Sequence, residues 1–215
     1  MPALVTPRAA VRRARERRIV DATRDLFDER GMQDARIDRI ARRVGINKAL
    51  IYRHFASKEE LFVLTVTRYL GEIDSRLAAV EDEAADPRER LRRGMEAFAE
   101  YGIAHPAFLD CALSLLRQPV DELRDQMSDA VWVRLGQAMA APIGRLSRTL
   151  EALGVDDPDF VANQLYLQAI GVLHLARSGV GVREPAQAFP VEPDRVRDAC
   201  VAAALAYASP SPSSS

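Results

Sequence analysis

The sequence predicts an all-α protein with a small basic head followed by a larger helical body, and three observations carry that reading. Apolar residues recur at helical spacing through nearly every stretch, as Ile37, Ile40, Ala41 and Val44 do at i, i+3, i+4 and i+7. Aromatics make up only 6% of the chain while Ala, Leu and Val are abundant, and Pro and Gly fall mainly at joints between periodic runs. The charge is divided: residues 1–58 hold 15 Lys or Arg against 7 Asp or Glu, net +8, and residues 59–215 hold 15 against 24, net −9. One half seeks a polyanion and the other does not.

With 215 residues, 48% of them hydrophobic, the chain can bury a substantial core. Cys111 and Cys200 stand far apart in apolar helical contexts, which suits buried thiols in a reducing compartment rather than a disulfide framework. Nowhere do 18 apolar residues follow one another, and the start has no uninterrupted apolar run ahead of a cleavage site. A cytoplasmic protein with no membrane partner is expected.

In chain order, residues 1–14 read as a flexible basic arm. Arg8, Arg12, Arg13, Arg15, Arg17 and Arg18 make this end either a tracker of phosphates or a solubilising tail. A first head helix follows from about Arg15 to Arg30, with Ile19, Ala22, Leu26 and Phe27 inward and Gly31 as C-cap. A second helix starts near Arg36 and carries the stripe already described.

Gly45 then falls where a turn needs positive φ, and Asn47 is suited to N-cap the third helix from Lys48, with Ile46 stapling against Ile51. That third helix turns Ile51 and Phe55 inward and Ala49 and Arg53 outward. Small side chains beside an Arg leave room for close approach to a major groove and supply a bidentate donor for guanine. From spacing alone, an ordinary helical hairpin with a solvated face fits as well.

The body begins at Ser57, whose capping box with Glu60 opens a helix through Leu61, Phe62, Tyr69, Ile73 and Leu77 to Val80. Asp86-Pro87 starts the next, ending at His105-Pro106, and Pro106 opens a short one through Leu116. A long pattern from Val120 to Gly154 contains Pro142, which should kink or divide it. Asp157-Pro158 starts a helix to about Ser178, followed by Gly179 and Gly181 read as cap and loop. A final helix spans Pro193 to Ala208, and 209–215 is a Ser/Pro tail.

Residues Arg17 to Phe62 resemble the DNA-binding head of the TetR family of transcriptional regulators. The likeness rests on Gly31, Ile40-Ala41, Gly45-Ile46-Asn47-Lys48, Tyr52-Arg53-His54-Phe55 and Ser57-Lys58-Glu59-Glu60-Leu61-Phe62. It implies a helix-turn-helix domain over 15–56 and an effector-binding and dimerisation domain over 57–208. The partners implied are a double-stranded DNA operator, a small-molecule effector and a second copy of the chain. Ala35 and Arg36 stand where the family favours Thr and Ser.

On that resemblance Ala49 and Arg53 are expected to read bases, with Leu50 on the flank, while Arg36, Lys48, Tyr52, His54 and Lys58 hold phosphates. Phe98, Tyr101, His105, Phe108, Met127, Trp132 and Tyr166 are expected around an effector, and Phe160, Gln164, Leu167, Gly171, Val196 and Ala203 at the dimer interface. Each of these aromatic and small residues fits plain core packing equally well. His54, His105 and His174 form no ligand pattern with one another or with Cys, so neither a metal, a cofactor nor catalysis is expected. The competing classes are an all-α interaction module and a thiol or metal sensor that does not read DNA sequence.

Overall fold

The computed structural model describes residues 7–178, 180–184 and 187–208. The first six residues of the basic arm, Gly179 and the 209–215 tail lie outside them. The described chain is helical apart from one antiparallel hairpin, and it divides into two compact units.

The first unit comprises Met1–Tyr69 and Ser114–Gly136. It holds α1 (Pro7–Arg30), α2 (Ile37–Val44), α3 (Lys48–Tyr52), the start of α4 (Lys58–Glu83), α7 (Val120–Asp125) and the first turns of α8 (Asp129–Ala152). Ile19, Leu26, Phe27, Ile40, Ile51, Phe55 and Leu61 are all buried and form its core, as the sequence stripes predict. Tyr69 ties α1 to α4: its hydroxyl donates to Asp28 Oδ1 at 2.8 Å while the Arg24 guanidinium lies 5.1 Å from its ring centre. Ser57 and Glu60 cap α4. The Glu60 N–H donates to Ser57 Oγ at 2.9 Å, and the Glu60 carboxylate accepts from the Ala56 N–H at 2.8 Å, one residue earlier than the usual capping box.

The second unit comprises Leu70–Leu113 and Gln137–Ser215. Here α10 (Pro193–Tyr207) packs on α5 (Pro87–Ala104) and α9 (Pro158–Ser178), with α6 (Pro106–Leu116) beginning in the same unit. Asp86 caps α5 by accepting from the Glu89 N–H at 2.8 Å, with Pro87 in the first turn. Gly102 permits the close approach of α5 and α9, because a Cβ there would meet Leu173 Cδ1 at 2.7 Å.

Three features depart from expectation. α1 begins at Pro7, so residues 7–14 continue the first helix where a separate arm was expected. The long pattern from Val120 breaks at Gln126–Ser128, and α8 runs unbroken through Pro142, which packing holds in a helix despite its missing donor. Gly181 lies in a strand: Val180–Glu184 and Gln187–Pro190 pair as β1 and β2, with Gly181 opposite Phe189. The segment is too short to show a two-residue period against its helical neighbours.

Candidate nucleic-acid interface and ligand cavity

The geometry of α3 is set from outside it. Gly45 takes φ 76°, the left-handed conformation that closes α2, and the Ile46 N–H reaches back to the Ala41 carbonyl at 3.0 Å. Asn47 is extended, and its side chain accepts from the Leu50 N–H at 2.8 Å, so the second helix of the motif starts at a fixed point and angle. Ile51 and Phe55 then anchor the inner side at 1% and 2% exposure.

Ala49, Tyr52 and Arg53 are exposed on the outer side, and Leu50 is half-buried. Ala49 and Arg53 are one turn apart, joined by the Arg53 N–H to Ala49 carbonyl bond at 3.2 Å. Lys48 and Lys58 are exposed at the first positions of their helices, with Lys48 Nζ 3.5 Å from Asp38 on α2. Arg36 is the N-cap of α2 and makes no side-chain cap bond. The hydroxyl that would fill that role is absent from this sequence, and the Arg36 side chain is left in solvent.

His54 does not sit with the expected phosphate contacts. Its ring is only 9% exposed and its Nδ1 lies 3.5 Å from Glu16 Oε1 on α1, so it fastens α3 to α1. Glu16 was missed by sequence reasoning, since nothing in the spacing joins residues so far apart. Arg43 likewise grips Glu29 through two nitrogens, at 2.9 and 2.5 Å, holding α2 on α1. Those hydrogen bonds raise the Arg43 pKa and lower that of Glu29.

The second unit contains a cavity of about 50 Å³, open to solvent and walled mainly by apolar groups that include Leu77, Met95, Phe98, Ile143 and Tyr166. Burial pushes the Tyr166 phenol up to about 12, so it is neutral over the physiological range. Arg145 also lines the cavity, held at 2.7 Å by Asp74 and bonded by Glu81 as well, and so does Arg90, which donates to the Ala84 and Ala85 carbonyls.

Of the residues expected around an effector, Phe98 and Tyr166 line this cavity. Tyr101 and Phe108 lie behind the wall at 0% exposure: Tyr101 donates to Glu72 at 3.0 Å and Phe98 meets Phe108 edge-on. His105 caps α5 with its ring 4.5 Å from that of Tyr101. Met127 and Trp132 belong to the other unit, where Met127 is buried and Trp132 stacks under Arg124, and neither lines the cavity. The aromatic residues were legible as helix stripes, but the stripes did not tell wall from backing. Leu77, Met95 and Ile143 were legible as apolar positions and unrecognised as cavity residues.

Of the expected interface residues, Phe160, Leu167 and Gly171 are exposed on one face of α9, together with Leu175. Gln164 and Ala203 are half-buried. Val196 is 3% exposed within a single copy of the chain, so it fills the core of its own unit. Both cysteines are buried, and among the described residues no group of three His, Cys, Asp or Glu is placed to hold a metal. No helix of the described residues is long and apolar enough to cross a membrane.

Residues 19–64 match the family model described as bacterial regulatory proteins, tetR family. The HTH-type transcriptional activator FasR of Mycolicibacterium smegmatis is 33% identical over 87 residues, 40% of this chain and 40% of that protein. The HTH-type transcriptional regulator BetI of Rhizobium meliloti is 32% identical over 85 residues, 40% of this chain and 42% of that one. The chain thus spans about two fifths of the length of these curated relatives. Among solved structures, a TetR-like transcriptional regulator from Rhodococcus sp. RHA1 superposes with a TM-score of 0.58 at 25% identity, covering 89% of this chain and 93% of that one.

Proposed function

We propose that the chain, a transcriptional regulator of the TetR family with a helix-turn-helix DNA-binding head, works as a homodimer that represses from a two-fold related operator. Release follows when a small, largely apolar molecule fills the body cavity. The observation that carries this reading is the outward pair Ala49 and Arg53 on a helix whose start is fixed by Gly45 and Asn47. Ala49 leaves space at the groove floor and Arg53 donates to a base edge, while Arg36, Lys48, Tyr52 and Lys58 hold phosphates and fix register.

A dimer suits this function because two such helices must meet half-sites roughly 34–36 Å apart. The exposed α9 face of Phe160, Leu167, Gly171 and Leu175 supports it, since apolar side chains aligned in one exposed row favour burial against a twin. The cavity, with its mainly apolar wall and its phenol neutral, suits a largely apolar effector. α4 and α8 each begin in the head unit and continue in the body unit, so the same two helices that wall the cavity lead to the head. An effector that binds better to the conformation fitting DNA poorly lowers operator affinity by that preference.

The relative named an activator matches over 87 residues, which bears on the head and not on the sign of regulation. As a regulator and not an enzyme, the chain acts where the DNA is, in the cytoplasm. Selection of bound duplexes from a random pool tests the reading. A two-fold related site is expected, and recovery of unrelated sequences alone would overturn it.

A further inference from the structure

The face of α1 that packs into the head is Ile19, Ala22 and Leu26, all buried. Traced toward the N-terminus at the same 4-3-4 spacing, that face continues as Arg15, Arg12 and Arg8, all exposed. Among the side chains whose burial is described, Ile19 is the first buried one of the helix, so the helical turns from Arg8 to Arg18 run ahead of the core by eleven residues, roughly 16 Å at 1.5 Å per residue. An inward face that runs past its partner and changes from apolar to arginine is built for a surface other than the protein's own.

The inner end of the overhang is also held beside α3, through Glu16. Arg12 Nε donates to Glu16 Oε1 at 2.8 Å, and the same oxygen lies 3.5 Å from His54 Nδ1, directly after Arg53 in the chain. The helix therefore leaves the head at the end of α3 that carries Arg53. A solvated tail needs neither the helical continuation nor the tether.

We propose that the overhanging turns of α1 are a second DNA-contacting element, in which Arg8 and Arg15 grip phosphates flanking the site read by α3, while Arg12 is paired with Glu16 one turn along the same helix. This rests on the DNA-binding reading above. Arg13 and Arg17 lie on the opposite face of the same turns and are spectators.

Two charge-matched double variants of the full chain separate face from net charge: Arg8→Ala with Arg15→Ala, and Arg13→Ala with Arg17→Ala. Binding to a selected site and to a random duplex is followed by fluorescence anisotropy across a salt series. For the first variant the slope of log K against log salt is expected to fall by about 1.8 per protomer on both duplexes, at about 0.9 per phosphate contact. For the second it stays with the parent.

Equal changes in the two variants, or a first variant indistinguishable from the parent, would overturn the proposal. Circular dichroism and melting of both variants confirm that the head is folded, as expected for Arg→Ala on exposed helix. Because the random duplex needs no operator, failure to find a two-fold site leaves this measurement intact. A parent with no salt-dependent affinity for any duplex sinks the DNA-binding reading and this inference together.

Discussion

The Leu50 backbone N–H donates to the Asn47 side chain at 2.8 Å, and this single bond fixes where α3 begins. α3 has five residues, so little intrinsic helix stability backs it up. Asn47→Ala should cost about 1 kcal/mol in thermal unfolding, and Asn47→Asp should retain most of it. Equal melting of Ala variant and parent would show that tertiary contacts alone hold the turn.

Arg53→Ala is expected to weaken the cognate site by about 1–3 kcal/mol and relax preference at one base pair. Lys58→Ala should instead weaken specific and random duplexes alike and reduce the salt slope by about 1. Competition binding with single-base operator variants distinguishes a reader from a phosphate contact. A loss shared equally by random DNA would remove Arg53 as a reader.

At Gly45 an added Cβ would meet nothing within 4 Å, so the cost of a substitution there isolates the φ of 76°. Gly45→Val should lose about 1–3 kcal/mol and Gly45→Asn clearly less, because Asn tolerates the left-handed region. Chemical denaturation of the pair checks the difference. Val and Asn variants of equal stability would contradict the assignment.

Leu167 is 49% exposed in a single copy of the chain. Leu167→Glu should leave the helix content unchanged and shift the light-scattering mass from twice the chain mass to the chain mass. Persistence of a dimer in that variant would move the interface off this face of α9.

Burial pushes the Cys200 thiol from its ordinary 9.0 up to about 11. In the folded protein it should therefore resist thiol reagents at neutral pH and react only on unfolding. Between about pH 9 and 11 the unfolded chain releases this proton while the folded chain keeps it, so stability present below pH 9 falls across that window. Cys200→Ala should flatten that part of the pH profile. Rapid labelling of the native protein would reopen the thiol-sensor class.

The local signals in the sequence were the legible ones. Gly45, Asn47, Ser57 and Asp86 act within a few residues of themselves, and the structure uses each as the sequence implies. What escaped depends on distance or on competing elements. Spacing left His54 partly on the inward side and the resemblance gave it a phosphate, while its partner Glu16 lies 38 residues earlier, beyond the reach of either signal. Val196 carried the small apolar character of an interface, yet α5 and α9 of its own chain cover it. Periodicity says that a side chain faces something, while the contact itself is set by how the helices fold together.

Pro142 interrupts no helix, and it also stands in the cavity wall beside Ile143. Lacking an N–H, it leaves the carbonyl of Ala138 without its usual rung, so α8 is most compliant just where an incoming molecule would press. On the proposed effector reading, occupancy of that wall would be felt as bending of a 24-residue helix.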